Sequence, residues 1–124
     1  RNQSELPGYL YAADMFVMPS EWDPTPKALN EAVVSGLPAL VSTGVGQAHD
    51  MVVAERNGVV FDVGDTAALA DGLALLAGDA DRRARYSAAA WAMAETWSPQ
   101  ANVDGLVGAL TAIYTHRQRR RGRR

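Results

Sequence analysis

Three short, uniformly apolar runs constrain this chain more than any other feature. Met15-Phe16-Val17-Met18, Pro38-Ala39-Leu40-Val41-Ser42 and Gly58-Val59-Val60-Phe61 show no alternation of apolar and polar side chains. Both faces of each strand must therefore be covered, which is the pattern of a parallel sheet with helices on either side. The intervening segments carry helix signals. Ser4 is placed to cap a short helix through Tyr11, closed by Ala12-Ala13-Asp14. Thr25 reads as an N-cap and Pro26 as the first residue of a helix ending before Gly36, with Pro38 beyond. Asp65-Thr66 caps a helix over 67–77, Gly78 ends it, and Asp79-Ala80-Asp81 starts another running to about Thr96. After Trp97-Ser98-Pro99 a last helix covers about 100–116. A complete doubly wound domain has six strands in two halves of three, so the chain reads as the second half of a Rossmann-like α/β sheet. The first residues, Arg1-Asn2-Gln3-Ser4-Glu5, lead straight into that pattern without an initiating Met, and further sequence is expected upstream.

Composition removes several kinds of chemistry. With no cysteine, disulfides, thiolate metal sites and a cysteine nucleophile are excluded. No apolar run approaches the roughly 18 residues of a membrane helix. The formal net charge of -2 conceals an asymmetry, because six arginines fall in the last eight positions. Without them, 6 basic side chains face 14 acidic ones, a poor surface for nucleic acid, which is bound through clustered Lys and Arg. The tail over 117–124 could meet nucleic acid or anionic lipid, or it could be a solvated, disordered terminus, and the last reading is preferred.

In open parallel sheets, ligands bind at the carboxyl ends of the strands, where helix N-termini offer free amides to anions. The segment 20–28 is that place for the first strand. Lys27 and Ala28 are expected to present unbonded N–H groups there, and Lys27, the only lysine, adds a full charge. Asp23 precedes the helix, and Glu31 lies one turn beyond Lys27. Such a set suits a ligand carrying both hydroxyls and phosphate. The competing reading is an ordinary i,i+4 surface pair between Lys27 and Glu31, with Asp23 a plain loop residue.

The stretch Tyr11-Ala12-Ala13-Asp14-Met15-Phe16-Val17-Met18-Pro19-Ser20, the segment from Glu21-Trp22-Asp23-Pro24-Thr25-Pro26-Lys27-Ala28 to Glu31-Ala32, and Ser35-Gly36-Leu37-Pro38 resemble a known family. It is the family-four (group 1) retaining glycosyltransferases of the GT-B fold, and specifically their C-terminal, donor-binding domain. Later pieces agree in order: Val45-Gly46 followed by Asp50, Asn57-Gly58, Gly64-Asp65 and Trp97-Ser98. The resemblance covers about residues 1–116, taken as a partial nucleotide-sugar-binding domain. It implies that Glu31, the second acid of a Glu-x7-Glu motif, holds the nucleotide ribose. Asp23, in place of the first Glu, would contact the donor sugar and belong to the catalytic machinery. Thr25, Pro26, Lys27 and Ala28 would contribute donor contacts between them. The chain departs from the common pattern in that Asp for Glu, in Pro26-Lys27 where Gly and an aliphatic residue are usual, and in Gln47 for the second Gly of a Gly-Gly loop.

What the resemblance implies for function is hexosyl transfer from a nucleotide-diphospho-sugar to an unknown acceptor, with no protein nucleophile, no metal and no other cofactor. It also implies an N-terminal partner domain upstream, little or no activity in these residues alone, and a cytoplasmic or membrane-peripheral full-length enzyme. The rival is a non-catalytic α/β interaction module using an open sheet edge. Asp79-Ala80-Asp81 formally spells a metal motif but sits at a helix start, where acids serve as caps. Gly44-Val45-Gly46 lacks the third glycine of a dinucleotide fingerprint. His49 is expected to be an exposed loop residue. Trp22 either stacks on a sugar or packs its Pro-rich loop, while Trp91, Trp97 and the alanines and leucines of 67–76 read as core.

Overall fold

A computed structural model describes residues 3–97 and 99–121. Two compact units follow one another, Arg1–Ala94 and Glu95–Arg124.

The first unit is an α/β layer structure. A 3-10 turn at Gln3–Glu5 leads into α1 (Leu6–Ala12), then β1 (Phe16–Met18), α2 (Lys27–Val34), β2 (Ala39–Ser42) and α3 (Ala48–Met51). β3 (Gly58–Phe61), α4 (Thr66–Gly78) and α5 (Ala80–Thr96) follow. The three strands form one parallel sheet in the order β1-β2-β3, with Val17 opposite Leu40 and Leu40 opposite Val59. All four residues of β2 are buried. Alternate side chains divide the core in two. Phe16, Met18, Ala39, Val41 and Val60 pack with Leu29 and Val33 of α2 and with Met51 of α3. Val17, Leu40, Val59 and Phe61 pack on the opposite face with Ala68, Leu69 and Leu76 of α4. The partial Rossmann-like sheet expected from the apolar runs is present, and its two-sided burial explains why those runs lack alternation.

Several ends differ from the sequence reading. Ser4 does not cap α1; Glu5 holds the N-cap position, with no side-chain cap bond. Pro26, in extended conformation, is the N-cap of α2 and Lys27 its first residue. Thr25 cannot cap because its own N–H is turned onto the Asp23 carboxylate, 3.3 Å away. Asp65 caps α4 through the Ala68 N–H at 2.9 Å. Asp79 accepts the Arg82 N–H at 2.7 Å, the cap role expected of the first acid in Asp79-Ala80-Asp81.

Trp91 is 59% exposed and Trp97 is also exposed, so neither is a core residue. α4 likewise buries one stripe only, through Gly72 and Leu76, leaving Ala67, Ala70 and Leu73 outside. An alanine-rich helix has little large apolar surface to bury, and one turn facing the sheet suffices. Trp91 has a different task. α2 ends in a Schellman motif, with Gly36 N–H on Val33 O and Leu37 N–H on Ala32 O, both at 3.0 Å. Gly36 has φ +76°, and a Cβ there would meet the Trp91 indole at 1.8 Å. The indole thus lies flush on the turn that leads into β2. Asn57, fully buried, organises the segment before β3: its Oδ1 accepts from Val53 N–H at 2.7 Å and its Nδ2 donates to Met51 O at 2.9 Å.

The second unit is dominated by α6 (Pro99–Arg121). This helix continues past His116 into the arginine run that composition marks as a disordered tail. Arginine is a good helix former, and positive charge is favoured at a helix C-terminus. Ser98 and 122–124 lie outside the described residues.

Two outcomes follow. Gly36→Ala should cost about 2–4 kcal/mol, combining left-handed strain with overpacking. Urea unfolding reads this loss, and adding Trp91→Ala should recover part of it. The Arg82 backbone N–H holds the Asp79 carboxyl below its ordinary value. Its contribution to stability is therefore complete above the unfolded value near 4 and is lost as pH falls through the lower, folded one. Asp79→Asn should flatten the acid limb of a melting-temperature profile while leaving the neutral plateau's pH independence intact.

Candidate functional site

The carboxyl ends of β1 and β2 carry two loops that touch along their main chains. Asp23 N–H donates to Gly44 O at 3.0 Å, and Gly46 N–H donates to Asp23 O at 2.8 Å, a parallel bridge between Asp23 and Val45. Ser42 Oγ adds a bond to Ser20 O at 2.5 Å. The approach is so close that side chains are excluded. A Cβ on Gly44 would stand 2.3 Å from Glu21 O, and one on Gly46 would stand 2.4 Å from Pro24 O. The glycines of this turn serve loop packing, which explains them without a dinucleotide.

The clamp fixes where α2 begins. Pro26 is buried at the N-cap, and Lys27 and Ala28 follow with exposed side chains. Among the described residues, no acceptor faces the Lys27 or Ala28 N–H groups. They are the free donors a helix start supplies. Asn30, one turn in, was not singled out by the sequence reading. Its Nδ2 donates to Gln47 Oε1 at 3.2 Å and lies 3.4 Å from Pro26 O. Gln47, standing where a second glycine was expected, is thereby a tie between the second loop and α2. Nothing short of the coordinates pairs residues 30 and 47; only the replaced glycine hinted at a special position.

Lys27 and Glu31 come together on one groove of about 520 Å³, lined also by Leu6, Pro7 and Leu10 of α1 and by Val34 and Ser35. They do not pair with each other. The ion pairs among the described residues are both made by Arg82, with Glu55 and Asp79. The ordinary i,i+4 surface pair is therefore not formed, and ammonium and carboxylate both stay free in the groove. Asp23 does not line that groove. It sits in the clamp, its carboxylate engaged with the Thr25 N–H. The compact three-residue set expected from spacing is thus split: Lys27 and Glu31 share a hollow, and Asp23 stands in the adjoining loop.

A smaller hollow of about 150 Å³, lined by Glu21, Val63, Asp65 and Thr66 among others, also opens at the carboxyl end of the sheet. Trp22 is 78% exposed, so it does not pack its loop. His49, on α3, is exposed as expected. Among the described residues, no group of three His, Asp or Glu side chains is arranged to hold a metal ion.

The family model for glycosyl transferases group 1 matches residues 1–93. The chain belongs to that family. Over 63 residues it is 36% identical to a UDP-Gal:α-D-GlcNAc-diphosphoundecaprenol α-1,3-galactosyltransferase from Escherichia coli, which covers 51% of this chain and 16% of that protein. A sucrose-phosphate synthase from Thermosynechococcus elongatus superposes with a TM-score of 0.71 at 22% identity, over 87% of this chain and 27% of its own. The glycosyltransferase chain thus has the Rossmann-like α/β architecture of a GT-B-type domain, and it spans a small part of the length of both proteins.

Gly46→Ala should push the two loops apart, at a cost of about 1–3 kcal/mol. The accompanying amide shifts, read by NMR, should reach Asp23 and Lys27 across the bridge while sparing α4.

Proposed function

We propose that this group 1 glycosyltransferase domain holds a nucleotide-diphospho-sugar at the N-terminus of α2. The single observation that carries the reading is the meeting of an unpaired Lys27 and an unpaired Glu31 in one groove along α2, a helix whose first turn has free amides. In this assignment the amides of Lys27 and Ala28, together with the Lys27 ammonium, receive the diphosphate. Glu31 accepts hydrogen bonds from ribose hydroxyls, and Asp23 from the sugar, with Thr25 and Pro26 shaping the loop between them.

The chemistry is transfer of a hexose with retained anomeric configuration to an acceptor that is a glycan, a lipid or a small molecule. The bond between the anomeric carbon and the diphosphate oxygen breaks, and its electron pair leaves with the phosphate. The acceptor oxygen bonds to the same carbon, and its proton passes to the departing phosphate. What the protein adds is stabilisation of the charge growing on that phosphate, larger in the transition state than in the bound donor. No side chain is assigned as nucleophile, and neither metal nor other cofactor takes part. The E. coli relative, named for a UDP-Gal donor, supports the donor class. The acceptor belongs to a partner domain outside these residues, so the 124-residue chain is proposed to bind donor weakly and to turn none over.

The test is an amide-shift titration with a panel of nucleoside diphosphates and their sugars. Shifts should centre on Asp23 to Glu31. Lys27→Ala should weaken binding about tenfold, the worth of one charge-assisted contact, and Glu31→Gln should weaken nucleoside diphosphate more than inorganic pyrophosphate. Both side chains are exposed, so melting temperature should hold. The competing module reading draws on β1, whose outer edge has no strand partner among the described residues. Shifts confined to Phe16–Met18, and only with a protein partner, would favour it instead.

A further inference from the structure

The stretch from Asp23 to Asn30 is pinned at both ends to consecutive residues of the loop after β2. At its start, Gly46 N–H donates to Asp23 O at 2.8 Å. At its end, Asn30 Nδ2 donates to Gln47 Oε1 at 3.2 Å. Gly46 and Gln47 are neighbours in the chain, so the two bonds close residues 23–30 into a ring. Thr25, Pro26, Lys27 and Ala28 all lie on that arc. The first pin is main chain, whereas the second depends on two particular side chains. It acts on the first turn of α2, which Pro26 caps without a side-chain bond. The helix is 8 residues long, below the length at which a helix holds itself in water. Gln47 is a firm post for it. It is the N-cap of α3, and its carbonyl accepts the N–H groups of Asp50 at 3.2 Å and Met51 at 3.0 Å. Its side chain makes no cap bond to that helix and so reaches α2 instead. Asn30 Nδ2 also lies 3.4 Å from Pro26 O, so one carboxamide touches both the start of α2 and the second loop.

We propose that Asn30 and Gln47 are positioning residues for the donor, a side-chain latch that holds the open amides of Lys27 and Ala28 in the arrangement a diphosphate needs. The inference rests on the donor site proposed above. Neither side chain has to touch the ligand. A segment already fixed in its bound shape loses less freedom on binding, so the latch is expressed as affinity. Both residues are half-buried, which shelters their bond from competing water. A glycine at 47 would offer Asn30 no side-chain acceptor, and the far end of the arc would be released.

The experiment follows the Lys27 and Ala28 amide signals of the full chain during titration with inorganic pyrophosphate, which presents the diphosphate without a choice of base. Asn30→Ala and Gln47→Ala should each weaken binding about fivefold, the effect of one neutral hydrogen bond. The double variant should lose about the same fivefold rather than the product, because one bond can be lost only once. Exchanging the side-chain lengths, Asn30→Gln with Gln47→Asn, keeps the summed reach and should restore most of the binding. Alanine is a better helix former than asparagine, so α2 should persist, and the α4 amide signals should hold in every variant. Single variants that bind as the parent does, losses that multiply in the double variant, or a swapped pair no better than the alanines would each overturn the latch and leave the donor site standing. If pyrophosphate shifts no amide between Asp23 and Glu31 in the parent, the donor site falls and the latch with it.

Discussion

The architecture at the carboxyl end of the sheet depends on a main-chain contact between two loops. Asp23 gives its N–H to Gly44 and receives that of Gly46, and both glycines lack the Cβ that would collide with the facing carbonyls. Backbone bonds of this kind contribute only about 1 kcal/mol each net. Their importance here is geometric. They hold the residues before α2 in a single path, bury Pro26, and so determine which amides of the helix are left open. The Asn30–Gln47 bond repeats the tie from the side chains.

The charge arrangement follows from that anchoring. Lys27 and Glu31 are one helical turn apart and could neutralise each other, yet the ion pairs of the described residues lie elsewhere, on Arg82. That second cluster is structural. Glu55 adopts φ +60°, a left-handed conformation that costs a non-glycine residue about 1 kcal/mol or more. Its carboxylate is held by Arg82 at 2.9 Å and by the Tyr86 hydroxyl at 3.2 Å. The two acid–base groupings therefore differ in kind: one holds a backbone shape through paired charges, and the other leaves its charges unpaired.

Much of the fold was legible because the apolar runs and the helix stops are local signals. Gly36 with Pro38 and Asp65 with Thr66 mark their helix ends by chemistry that needs no distant partner. The failures share the opposite property. Thr25 looked like a cap until Asp23 took its N–H. Trp91 reads as core by its size, while the structure lays it across Gly36 with most of its surface in water. The glycines of 44–46 lack a dinucleotide fingerprint, and what they answer, a loop arriving from about twenty residues upstream, is visible only in the fold. At the site, helix periodicity places Lys27 and Glu31 on one face of α2, and it says nothing about Asp23 in the loop before it.

Among the described residues β1 has a hydrogen-bonded neighbour on one side only, and its Phe16, Val17 and Met18 are half-buried. Such a border is apolar and free of lysine or an internal proline, and only its length of three residues blunts it. A further strand laid along that border would satisfy its unpaired N–H and C=O groups and cover its half-buried side chains, so it is where a larger sheet would be continued.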